Sequence, residues 1–278
     1  MADSREFELT DACFERIRQF VTQHTGIVLT DKKKDMVYGR LSKRIRKGGF
    51  GSFEAFCDEL EAGNPQEQDF MINAITTNLT AFFREQHHFD YLAQVVLSEL
   101  VQQKWYDKRL RIWSAGCSTG EEPYSIAMTI RDNLPDCDDW DIKILATDLD
   151  ANVVAHGKAG IYREDRIAGL PEATIKRWFK RGTGKNAGLV KVRPQLQQMI
   201  HFKRLNLLHE WPMKGPFDFM FCRNVVIYFD KPTQQVLFNR YADILAPRAH
   251  LFIGHSETLY NVCSRFESLG KTIYRKLD

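Results

Sequence analysis

Two adjacent carboxylates, Glu121 and Glu122, follow a run of small residues, Gly116-Cys117-Ser118-Thr119-Gly120, in the segment RIWSAGCSTGEEPYS at residues 111–125. The run from Ile112 to Ala115 reads as a short strand, the small residues as a turn, and the apolar stretch from Ile126 to Ile130 as a helix. Strand, glycine loop and helix together receive nucleotide-like ligands in α/β proteins. Phosphate sites use the positive end of the helix and often a lysine, so two carboxylates there would repel a pyrophosphate. They suit a ligand carrying an amino group and sugar hydroxyls. The loop also lacks the GxGxxG pattern of dinucleotide sites and the GK[ST] of a P-loop.

Asp148 stands at the end of a second apolar run, LATDLD, where a carboxylate can accept bonds from both hydroxyls of a ribose. S-adenosylmethionine, with a sulfonium, an ammonium, a ribose and no phosphate, fits this charge pattern. Helix capping is the competing role for the glutamates, because Ser118 with Glu121 and Thr119 with Glu122 have capping-box spacing. Pro123 opposes both boxes: it has no N–H to donate inside a helix, which places the helix start at Gly120 or later. Two further segments end at the same edge of the expected sheet, Leu205-Asn206-Leu207-Leu208 and Cys222-Arg223-Asn224. An asparagine in such a place is either a turn residue or a ligand contact.

These residues need a sheet to hold them. Residues 5–95 read as helical, with Phe14, Ile17, Phe20 and Val21 at helical spacing, then Val37, Leu41 and Ile45. The expected domain boundary is 95/96, with a helix over 88–103 as the link. From residue 108 the texture is α/β. Strands are expected at 111–115, 142–147, 199–204, 217–222 and 250–254, separated by helices at 124–133, 151–159 and 233–245. That alternation implies a mostly parallel sheet. Two last strands, 266–269 and 272–277, form an antiparallel edge hairpin. A Gly/Asn-rich stretch around 176–194 reads as an inserted β-hairpin.

The chain has 278 residues, 44% of them hydrophobic, and no apolar run long enough for a transmembrane helix. Its charged N-terminus lacks a signal-peptide pattern, and six scattered cysteines without a CxxC pair fit a reducing cytoplasm, so a cytoplasmic protein is expected. The eight histidines show no metal-binding spacing, and no metal is expected. The net charge is only +3, but residues 32–47 hold eight basic residues and one acid.

Four segments in order, TNLTAFFRE (77–85), SAGCSTGEEPYS (114–125), GPFDFMFCRNVVIYFD (215–230) and GHSE (254–257), resemble the bacterial chemotaxis receptor methyltransferases of the CheR family. The resemblance runs through nearly the whole chain. It implies a Rossmann-like class I methyltransferase sheet, an all-α N-terminal domain and a small β-subdomain. It implies methyl transfer from S-adenosylmethionine to glutamate side chains of membrane chemoreceptors, leaving S-adenosylhomocysteine. By motif, cofactor contacts would come from Asn78, Thr80, Arg84, Glu122, Asp148, Asn206, Leu207, Arg223 and Asn224. Cys117 stands where the family pattern has a small residue.

A glutamate carboxylate, with a pKa near about 4.3, is already ionised at pH 7 and needs no general base. It needs alignment and removal of water. Arg84 and Tyr228 are the candidate catalytic clamp, with Arg223 a third. Their structural alternatives are a surface ion pair of Arg84 with Glu85 or Asp90, and core packing for Tyr228. Lys33, Arg40, Lys43, Arg44 and Lys47 share one helical face, opposite Val37, Leu41 and Ile45, and are either a receptor-binding surface or a solvated stripe. The inserted hairpin offers an edge to which a receptor's C-terminal peptide could add, as in related enzymes, or is a structural flap. The basic helix also admits a nucleic-acid methyltransferase, although CRNVV at 222–226 lacks the proline turn of adenine methylation and the Pro-Cys of cytosine chemistry. A non-enzymatic S-adenosylmethionine-binding module and, more distantly, a nicotinamide dehydrogenase complete the alternatives.

Overall fold

The computed structural model describes residues 5–278. They form two compact units: the residues up to Thr77 with Tyr228–Thr233, and Asn78–Ile227 with Gln234–Asp278.

The first unit is built from four helices: α1 (Asp11–Thr25), α2 (Lys34–Gly48), α3 (Phe53–Glu61) and α4 (Pro65–Ile75). Local signals set their ends. The Thr10 side chain accepts the Cys13 N–H at the start of α1, Ser52 accepts from Ala55 at α3, and Asn64 precedes Pro65 at α4. Apolar residues at helical spacing meet in one core, where Ile17, Val21, Val37, Leu41, Ile45, Phe53 and Phe56 are fully buried.

The second unit opens with α5 (His87–Tyr91), a π-helical turn (Leu92–Val96) and α6 (Leu97–Lys104), one continuous helical stretch where a single α-helix over 88–103 is expected. The strands of its main sheet are β1 (Arg109–Ala115), β2 (Asp141–Asp148), β6 (Ile200–Arg204), β7 (Phe217–Cys222), β8 (Leu245–Ile253), β9 (Phe266–Gly270) and β10 (Ile273–Lys276). Their order is β6-β2-β1-β7-β8-β10-β9, parallel except for β10, which runs antiparallel to both neighbours. This is the expected Rossmann-like sheet with an antiparallel edge hairpin. Helices α7 (Glu121–Asn133), α8 (Ala151–Ala159) and α11 (Lys231–Ile244) make the crossovers.

The division between units falls at Thr77/Asn78, earlier than the expected 95/96. The reason is packing: Phe89, Leu92, Val96 and Leu97 share one core with Ile112, Phe219, Phe221 and Phe252 of the sheet. The insertion is also larger than a hairpin over 176–194. The strands β4 (Phe179–Arg181) and β5 (Leu189–Val192) do form an antiparallel pair, and β3 (Ile161–Arg163) adds to the other side of β5. Short helices α9 (Glu172–Trp178) and α10 (Pro194–Gln197) flank them.

Candidate active site

Three loops leave the carboxyl ends of β1, β2 and β7 side by side and carry the expected site residues. The β1 loop turns through Gly116 at φ +77°, Ser118 at +47° and Gly120 at +99°. Gly120 caps α7, so the helix starts at Glu121 with Pro123 in its first turn, as the proline requires. A side chain at Gly120 would put its Cβ 2.9 Å from the Cα of Gly157 on α8. Only glycine permits both that approach and that φ.

The loop is tied to Asp148: the Ser118 N–H donates to Oδ2 at 2.8 Å and the Asp150 N–H to Oδ1 at 3.0 Å. Burial pushes the Asp148 carboxyl above its ordinary range, and these backbone donors oppose the shift. Asn78 joins the same cluster. Its Nδ2 donates to Asp150 Oδ2 at 3.0 Å, and its carbonyl accepts the Ser118 hydroxyl at 3.1 Å. Asn78 therefore lies against the β1 and β2 loops.

Glu121 and Glu122, indistinguishable by type, separate by environment. Glu121 is 1% exposed and pairs with Arg166, which also donates to the Thr80 carbonyl at 2.7 Å, while the Thr119 hydroxyl holds its other oxygen. It is a brace for the Thr80 segment. Glu122 accepts the Ser114 hydroxyl at 2.7 Å and faces Arg223 Nη1 at 3.4 Å. Burial raises its pKa, with Arg223 pulling the other way. Ser118 and Thr119 are loop residues and cap nothing.

Arg223, 5% exposed, has carboxylates on two sides: Glu122, and Glu85 at 3.4 Å. Its Nη2 also donates to the Arg84 carbonyl. Burial favours a neutral Glu85, but the His255 imidazole at 2.8 Å and Arg223 hold its carboxyl below the ordinary value. Arg223 is thus an internal tie, not an open clamp. Arg84 differs. Its Nη1 donates to the Leu79 carbonyl at 2.9 Å, and among the described residues it has no carboxylate partner, neither Glu85 nor Asp90. Asn224 sits at φ +59° directly after Arg223. Beyond β6, Asn206 accepts the Leu208 N–H at 3.0 Å, and the buried Leu207 offers its carbonyl to Trp211 and Arg240.

Tyr228 groups with the first unit, where its carbonyl accepts the Val28 N–H at 2.9 Å. The basic face of α2 is divided. Lys33, Lys43 and Lys47 are exposed. Arg40 instead donates to the carbonyls of Ala74, Ile75 and Thr76 at the end of α4, and Arg44 pairs with Glu67, whose side chain is 3% exposed. These two arginines hold α2 to α4, a job their spacing alone does not reveal.

Sequence reasoning missed Glu85, Asp150 and Arg166. Asp150 had a signal, since an aspartate directly before an apolar helix is an N-cap, and it does accept the Asn152 N–H. Glu85 depends on a left-handed φ of +57° that no pattern announces. Glu85, His87 and His88 bring ligand-type atoms within 4.8 Å of one another, but the Arg223 guanidinium against Glu85 opposes a cation there.

The mostly parallel sheet, with Glu122 and Asp148 at the carboxyl ends of β1 and β2 and Arg223 at that of β7, has the architecture of α/β proteins that receive ligands at this edge. Residues 78–275 match the family model described as CheR methyltransferase, SAM binding domain, and residues 12–76 match the CheR methyltransferase all-alpha domain. The chain belongs to the CheR methyltransferase family and is an S-adenosylmethionine-dependent methyltransferase. It is 44% identical to the chemotaxis protein methyltransferase of Salmonella typhimurium over 98% of this chain and 92% of that one. Against the Escherichia coli protein of the same name the identity is 45%, over 96% and 91%. Chemotaxis protein methyltransferase 2 of Pseudomonas aeruginosa is 43% identical, over 98% and 95%. No helix among the described residues is long and apolar enough to cross a membrane.

Proposed function

We propose that this enzyme methylates glutamate side chains of chemoreceptors, forming methyl esters in chemotactic adaptation, at a site made by Asn78, Thr80, Arg84, Glu122, Asp148, Asn206, Leu207, Arg223 and Asn224. The observation that carries the reading is the pair of carboxylates at adjacent strand ends, buried Glu122 and half-buried Asp148, each with oxygen lone pairs left for a ligand. Asp148, braced by two backbone N–H groups, suits ribose hydroxyls. Glu122, whose charged form Arg223 favours against the opposing effect of burial, suits an ammonium group. When bound, S-adenosylmethionine supplies an electrophilic methyl group on a sulfonium.

The protein's part is then alignment. The target glutamate arrives ionised, so no residue needs to take a proton. Arg84, without a carboxylate partner among the described residues, is available to steady that anion. A strong grip would stabilise the ground state as well as the transition state and gain nothing. The exposed Lys33, Lys43 and Lys47 suit a glutamate-rich receptor helix, and the outer strands β3 and β4 suit a receptor peptide adding as a further strand. Such a tether would recruit the enzyme to membrane receptor arrays. Methyl incorporation into receptor-containing membranes tests the reading: base-labile label on receptor glutamates supports it, and label found only on nucleic acid, or none, contradicts it.

A further inference from the structure

The GHSE segment after β8 has no role in the chemistry above, yet its glutamate gathers the backbone of the site. Glu257 is 6% exposed. Its Oε1 accepts the backbone N–H groups of Val225 and Val226 at 2.9 Å and of Ile227 at 3.3 Å. Its Oε2 accepts those of Asn224 at 2.9 Å and Gly254 at 2.6 Å. Both oxygens are therefore occupied by main-chain donors, an arrangement that binds an anion through converging amides. The donors converge because Asn224, a non-glycine residue, takes φ +59° and turns the chain back after β7. Such a conformation persists only where its surroundings hold it.

Gly254 completes the hold. A Cβ at that position would lie 2.4 Å from Asn224 Nδ2 and 2.8 Å from its backbone nitrogen. Asn224 thus rests against bare backbone, its N–H fixed by a buried carboxylate. Arg223, one residue earlier, is carried by the same turn.

We propose that Glu257 is a positioning residue for the cofactor site: it holds the strained turn that presents Asn224, and it does so through main-chain hydrogen bonds alone. The proposal rests on the assignment of Asn224 to the cofactor site. It predicts coupling between two residues, which a general loss of stability would not produce.

The test is calorimetric titration of S-adenosylhomocysteine into the wild-type chain, Glu257→Gln, Asn224→Ala and the double variant, with amide hydrogen exchange on each. Glu257→Gln turns one acceptor into a donor facing N–H groups. It should weaken binding about tenfold, the size of one lost charge-assisted hydrogen bond, and speed exchange at residues 224–227. The double variant should bind no more weakly than Asn224→Ala. If Glu257→Gln does not fold, Glu257→Asp, one methylene shorter, gives the same reading. Binding within about twofold of wild type in a folded Glu257 variant, or losses that multiply in the double variant, would overturn the proposal. Wild-type affinity in Asn224→Ala would overturn the cofactor assignment itself, and exchange would still report whether Glu257 holds the turn.

Discussion

Nη1 of Arg223 lies 3.4 Å from Oε2 of Glu122, both side chains almost wholly enclosed. With Glu85 on the other side at the same distance, one guanidinium balances two buried acids. Removing one partner of a buried pair leaves an uncompensated charge, which costs about 3–5 kcal/mol. Arg223→Met should therefore lower the unfolding free energy by about that amount. Denaturant unfolding checks it, and a loss under about 1 kcal/mol would show that the charges are already screened.

Arg84 should behave in the opposite way. Among the described residues its side chain bonds to a carbonyl five residues back and has no ion pair. Arg84→Ala should keep its melting temperature within a few degrees while turnover on receptor membranes falls by about a hundredfold or more, as for loss of an oriented anion-stabilising group. Near-normal turnover would remove Arg84 from the chemistry.

Steering by the α2 face calls for care in the choice of variant. Reversing Arg44 would set a second carboxylate against the buried Glu67, so Arg44→Glu reports on stability. Lys43→Glu and Lys47→Glu leave that contact alone. If these lysines meet an acidic receptor helix, the double variant should slow receptor methylation several-fold at low salt and much less at high salt. Equal slowing at both would contradict steering.

Acid sensitivity follows from two buried histidines. Burial first, with nearby arginines adding, pushes His88 and His250 down to about 4 from 6.5. The unfolded chain binds their protons first as pH falls. Their contribution is intact above pH 6.5 and is lost progressively toward pH 4. Nε2 of His250 has no hydrogen-bond partner among the described residues, so His250→Phe keeps a ring there and removes the titration. Stability of that variant should fall less steeply between pH 6.5 and 4 than that of wild type. Parallel curves would sink the assignment.

The parts of this fold visible in the sequence were those that local pattern dictates. β7 is a wholly buried apolar run and β1 nearly so, β2 buries Ile142 and Ile144 in alternation, and Pro123 alone placed the start of α7. What stayed hidden depends on partners distant in sequence. The three residues of β3 are too few to show alternation and become a strand only by pairing with β5. β8 begins at Leu245, paired with Phe217, where a helix to 245 and a strand only from 250 are expected. Helical spacing set Arg40 and Arg44 on one face but could not show α4 waiting there. Glu121 and Glu122 became a brace and a pocket wall only once Arg166 and Arg223 arrived from far along the chain.

The central claim is that Glu122 and Asp148 hold the amino and ribose groups of the cofactor. Its most direct measurement is calorimetric titration of S-adenosylhomocysteine, with NAD as the comparison ligand, into the wild-type chain, Glu122→Gln and Asp148→Asn. The account predicts binding to wild type, losses of about tenfold or more in each variant, and no binding of NAD. Wild-type affinity in both variants, or NAD competing for the site, would contradict it.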